Sequence, residues 1–144
     1  AEDAARLMFV MMFGAIILQL PIGWLGDMVD RGKLIIGCAV MATLGAALWP
    51  FALQSEIATY ALLFVWGGVF VGIYTLTLTV VGSRFSGGDL VGIYALMGLT
   101  WGAGALVGPL LAGLSMQAGT HGLAIFAAVA CGLFAVAAIM RRDG

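Results

Sequence analysis

Charged residues punctuate this chain and leave long stretches between them empty. Residues 7–26, 34–55, 57–83 and 90–140 contain no Asp, Glu, Lys or Arg. Within these stretches apolar residues fall on every side of a helical wheel. A helix apolar all round is either buried or crosses a membrane. Crossing roughly 30 Å of hydrocarbon takes about 20 apolar residues at about 1.5 Å each. The first three stretches therefore hold one span each. The fourth holds two, parted near Gly113–Gly122, where Ser, Gln, Gly, Thr and His cluster. The pattern predicts helices at about 5–26, 34–53, 57–81, 90–112 and 122–140, an all-α polytopic membrane bundle of five transmembrane helices. Barrel strands would alternate over about ten residues with a polar lumen face. These runs are longer and apolar throughout.

Composition narrows the classes. The chain is 63% hydrophobic and 9% charged, against about 25% charged in a soluble domain. So few charges cannot cover a water-facing surface. A net charge of −1 argues against a nucleic-acid partner. The bilayer is the partner that composition implies. Cys38 and Cys131 sit inside spans, where thiols act as small apolar groups. No His, Cys, Asp or Glu spacing suits a metal, and no cofactor motif is present. The acidic start, Ala1–Arg6, does not resemble a cleavable signal peptide.

The basic residues give an orientation. If the chain weaves through five spans, Arg31, Lys33, Arg84, Arg141 and Arg142 share one side and only Arg6 lies on the other. The positive-inside rule places the larger group in the cytoplasm, with the amino end outside and the carboxyl end inside. The outer connectors, Gln54–Glu56 and Ser115–His121, hold no Lys or Arg. Tyr60 and Trp49 lie near outer helix ends and suit interfacial anchoring, while His121 belongs to an outer loop.

Polar content separates the spans. The second and fifth are almost wholly apolar and are expected on the outside of the bundle. The third carries Tyr74, Thr75, Thr77 and Thr79, the first Gln19 and Pro21, and the fourth Thr100 and Trp101. Polar groups within a span face the bundle interior or a water cavity, so these three are expected inside. Gln19, Tyr74, Thr75 and Trp101 are candidate substrate contacts, with interhelical packing as the competing role for each. Gly68/Gly72, Gly98/Gly102 and Gly104/Gly108 are GxxxG pairs that permit close helix approach. Pro109 removes a backbone donor and is expected to bend the fourth helix.

The connector Gly23–Lys33 concentrates charge. Asp27 lies at the carboxyl end of the first helix, which disfavours anions, and Arg31 and Lys33 lie near the amino end of the second, which disfavours cations. Charges placed against both dipoles need another reason. One is topology. Another is pairing, with Asp27 meeting Arg31 or capping a neighbouring helix as a latch that breaks when helices shift.

The spacing Gly23-x-x-x-Asp27-x-x-x-Arg31-Gly32-Lys33 resembles the loop signature of the major facilitator superfamily, G-x-x-x-D-[RK]-x-G-[RK]-[RK]. Gly23 and Asp27 match, Met28 replaces the first base, Asp30 occupies the glycine position and Arg31 fits the first terminal base. Gly32 replaces the second, with Lys33 following. Gly104-Ala-Leu-Val-Gly108-Pro109-Leu-Leu-Ala112-Gly113 is similar to the family's glycine-proline helix pattern, G-x-x-x-G-P-x-x-G-G. The string Leu18–Asp27 resembles a branch of poorly characterised bacterial permeases, in whose second half it lies.

The resemblance implies that the five spans correspond to helices eight to twelve, part of the carboxyl-terminal half of a twelve-helix permease whose amino-terminal half lies elsewhere. It implies a secondary transporter that moves a small solute across the bacterial inner membrane by alternating access. A non-transporting helical subunit, docking partner helices through its GxxxG faces, is the other class. An enzyme is not expected: there are no paired membrane aspartates for intramembrane proteolysis, no membrane histidines for haem, and no catalytic set. No charged residue sits mid-span, so a buried carboxylate for a proton relay is also missing from this sequence.

Overall fold

The computed structural model of the chain describes residues 2–117, 119 and 121–141. Among them are five helices and no strands: α1 (Glu2–Met28), α2 (Arg31–Ala52), α3 (Glu56–Arg84), α4 (Gly87–Gln117) and α5 (Gly122–Met140). Each is long and apolar enough to cross a membrane. The shortest has 19 residues, or roughly 28 Å at the α-helical rise. The first four helices each run past at least one expected end, because polar residues at the borders join their first or last turns. Glu2 and Asp3 occupy the first turn of α1, and Arg84 the last turn of α3. The α4 helix runs unbroken through Pro109 from Gly87, which takes a φ of +62° just after α3.

Contacts between helices settle the weave. Along α1 and α3, Gly14 meets Phe64, Leu18 meets Gly68, Ile22 meets Gly72 and Gly26 meets Leu76, with Met11 reaching Gly67 at the crossing. Positions rise together, so α1 and α3 run parallel. Ala52 meets Thr59 and Ala42 meets Trp66, so α2 runs against α3. Leu78 meets Tyr94 and Tyr74 meets Trp101, so α4 also runs against α3. Arg31, Lys33 and Arg84 therefore share one end of the bundle, and the carboxyl end of α5 with Arg141 returns to it. Arg142 lies outside the described residues.

Close approach of α1 to α3 depends on glycine. A Cβ on Gly14 would run into the Phe64 backbone, and one on Gly67 into the Met11 backbone. The Gly68/Gly72 pair forms a groove that receives Leu18 and Ile22, one turn apart on α1. Small residues serve this purpose in membranes, where lipid competes equally for apolar contact and shape decides the packing. The core forms where α2, α3 and α5 meet, around Cys38, Ala42, Val69, Leu76 and Cys131.

Burial follows the expected order at α3 and departs from it at α2 and α4. The α2 helix lies between α3 and α5 and buries Cys38, Ala39, Ala42, Gly45 and Ala46 along one face. The α4 helix, expected inside, buries none of its residues, and α1 does not touch it. Among the described residues small side chains mark the contact faces, and α2 carries them as an alanine-cysteine stripe that polarity did not reveal.

Candidate functional site

At the Arg31 end, the α1–α2 connector is held by three contacts. The Arg31 guanidinium Nε donates to the Gly26 carbonyl at 3.2 Å, satisfying one of the free carbonyls at the end of α1. Another guanidinium nitrogen lies 3.5 Å from Asp27 Oδ1, four residues back across the connector. Asp30 Oδ1 accepts from the Lys33 backbone N–H at 2.9 Å and so caps α2. An N-cap of this kind is worth about 1 kcal/mol. Asp27 thus pairs with Arg31, and the capping falls to Asp30.

These contacts explain charges that looked misplaced. Arg31 opens α2, yet its side chain reaches back to the carboxyl end of α1, where a cation is favoured. Asp27 stays 76% exposed against 33% for Arg31, so their pairing is worth less than about 1 kcal/mol. Gly32 would place a Cβ 3.2 Å from Asp30 Oδ1, Gly23 faces open space, and Lys33 is exposed. Gly26, absent from the sequence candidates, is buried, and a Cβ there would come within 2.7 Å of Leu76. Its only sequence signal is a glycine three residues after Gly23.

Two thirds of the way along α3 and halfway along α4, Tyr74 and Trp101 face each other with ring centroids 5.2 Å apart and planes at 53°. Two cavities meet on this pair. One, of about 620 Å³, opens along α4 past Met97, Thr100, Gly104 and Ala105. The other, of about 310 Å³, reaches between the helices to Ala42, Phe70, Thr77, Cys131 and Phe134. Pockets for small molecules commonly have such volumes and such linings.

Of the four candidate substrate contacts, the structure joins Tyr74 and Trp101. Gln19 is exposed on α1, and Thr75 is half-buried on α3; neither lines these cavities. The missed lining residues, Met97 and Phe134, carry no polar signal and needed the helix neighbours to be known. Thr77 and Thr100 donate their hydroxyls to the carbonyls of Ile73 at 2.7 Å and Leu96 at 2.8 Å, one turn back. Gly104, Gly108 and Gly113 lie on α4 where an added Cβ would meet nothing within 4 Å, and Pro109 is exposed among them.

The family model of the Major Facilitator Superfamily matches residues 2–144. The chain belongs to the major facilitator superfamily. With five spans it is a multi-pass membrane transporter of the major facilitator type. Comparison with curated proteins and with solved structures returned no match. For a major facilitator chain the two features stand well apart along the bundle, with the Asp27–Arg31 pair at one end and the Tyr74–Trp101 pair near its middle.

Proposed function

We propose that this chain is the carboxyl-terminal portion, helices eight to twelve, of a bacterial inner-membrane secondary transporter, and that a small solute passes beside Tyr74 and Trp101. One bundle rocks against the other by alternating access. The observation that carries this reading is the convergence of two cavities on one aromatic pair at mid-membrane depth. Supporting it, α4 buries no residue in this bundle, which suits a helix that closes against the amino-terminal half.

The Arg31 end faces the cytoplasm in this proposal, with the amino end of the segment outside. The Gly23–Lys33 connector is then a cytoplasmic latch. Its Asp27–Arg31 pair is weak and exposed, as suits a contact that breaks when helices shift. Asp27→Asn in the complete permease cuts transport with little loss of expression. Unchanged transport would remove the latch. The orientation predicts that an impermeant thiol reagent on intact cells modifies cysteines at Ser55 and Gln117 and spares one at Arg84. Modification at Arg84 alone would reverse it.

A further inference from the structure

We propose that the Tyr94 hydroxyl, seated over Gly82 of α3, is a clasp that closes the Arg84 end of the groove beside Tyr74 and Trp101; this rests on the reading of that groove as part of the transport path. Tyr94 donates its hydroxyl to the Leu78 carbonyl at 3.2 Å. By helical register that carbonyl also takes the N–H of Gly82, four residues on, and its oxygen has a second lone pair to offer. A Cβ on Gly82 would come within 2.9 Å of the Tyr94 hydroxyl oxygen. The glycine therefore leaves the notch through which the phenol reaches the carbonyl. Gly98, Gly102 and Gly104 on α4 have no such neighbour within 4 Å.

The contact stands where the cavities end. On α3 their lining runs from Phe70 to Thr77 and stops one residue short of Leu78. On α4 it runs from Ala105 back to Ile93 and stops one residue short of Tyr94. The two antiparallel helices thus close their gap at one level, roughly 6 Å beyond Tyr74 toward the Arg84 end. A solute that leaves the ring pair between α3 and α4 toward that end passes this level.

The contact can open at small cost. Tyr94 is 38% exposed and holds α3 by one hydrogen bond, and α4 buries none of its residues. The other end of α4 is fixed more firmly, since a Cβ on Gly122 of α5 would run into the Ser115 backbone. Seven residues before Tyr94 stands Gly87 at a φ of +62°, a conformation that side-chain-bearing residues rarely adopt. It is the joint between α3 and α4, and residues at element ends absorb the dihedral change when a helix tilts. Tilting α4 about Gly87 draws the Tyr94 hydroxyl out of the notch while the short connector keeps the two helices joined. Tyr94 is then a positioning residue: it sets the spacing of α4 from α3 at one end of the path.

The test uses the proposed complete permease, freed of its other cysteines, with a single cysteine at Met97, which lines both cavities three residues from Tyr94. A membrane-impermeant maleimide is applied from each side in turn, and labelling rates are compared among variants. Tyr94→Phe keeps the ring and removes the donor. It raises the rate from the Arg84 side about threefold, the population shift expected of one hydrogen bond between membrane helices, and leaves the opposite side unchanged. Gly82→Ala fills the notch and raises the same rate at least as much. The double variant matches the larger single one, because both break one contact. Rates that rise equally from both sides show a looser bundle without a clasp. Rates unmoved by either variant show that this end closes elsewhere. Each of these results overturns the proposal and leaves the transport path standing. Silence at position 97 from both sides in every variant removes the path and the clasp together.

Discussion

Gly14 and Gly67 on one side of the bundle, and Gly98 and Gly102 on the other, lie in long apolar helices that look alike in sequence. In the first pair each glycine admits the backbone of the opposite helix. In the second, an added Cβ meets nothing within 4 Å. The α1–α3 side is a finished interface, with Leu18 and Ile22 set into the Gly68/Gly72 groove. The α4 side is held to α3 mainly by aromatic reach: Tyr94 spans to the Leu78 carbonyl and Trp101 to the ring of Tyr74. Between those two contacts the cavities open. The proposed transport cycle uses both sides, with the close-packed α1–α3 side as the body and α4 as the helix that closes on something else.

The largest effect that would break this contrast is at the helix crossing. Gly67→Leu forces α1 away from α3 and destabilises the bundle by about 3 kcal/mol, the upper end for overpacking. Thermal unfolding in detergent, followed by loss of the monodisperse peak, measures it. Gly98→Ala and Gly102→Ala leave that midpoint unchanged or raise stability by up to about 1 kcal/mol, since a helical glycine is replaced in open space. A fall comparable to that of Gly67→Leu would show that α4 is covered as tightly as α3.

Smaller effects sharpen the picture. Asp30→Ala removes the α2 cap and costs about 1 kcal/mol in the same melt. Tyr94→Phe loses one hydrogen bond between α3 and α4, worth about 0.6 kcal/mol in a membrane bundle. Asp27→Asn changes the melt least, because the Asp27 carboxylate is itself exposed. The latch proposal needs that separation, with stability kept and transport lost.

The spans were legible because hydrocarbon thickness writes itself into the charge-free runs, and the expected α5, at 122–140, coincides with the helix found. The alternating weave was legible too, from where Arg31, Lys33 and Arg84 fall. Helix neighbours were not. Polar residues such as Gln19 drew attention inward, while the faces that meet are written in Gly14, Gly67, Ala39 and Ala42, whose small size is easily lost among 22 glycines. The candidate site was half legible for the same reason. Tyr74 and Trp101 stood out as polar aromatics in mid-span, but which of the third helix's polar residues faces the fourth depends on how α3 rolls against α1. That roll sets Tyr74 into the groove and leaves Thr75 out of its lining.

Water access at the aromatic pair is the most direct test. Single cysteines at Trp101 and at Leu133, an exposed position near the middle of α5, are placed in the proposed complete permease and exposed to a membrane-impermeant maleimide from each side in turn. The account predicts labelling at position 101 and none at 133, with the rate at 101 changing as transport turns over. Equal silence at both positions would place Trp101 against lipid and contradict a solute path beside Tyr74.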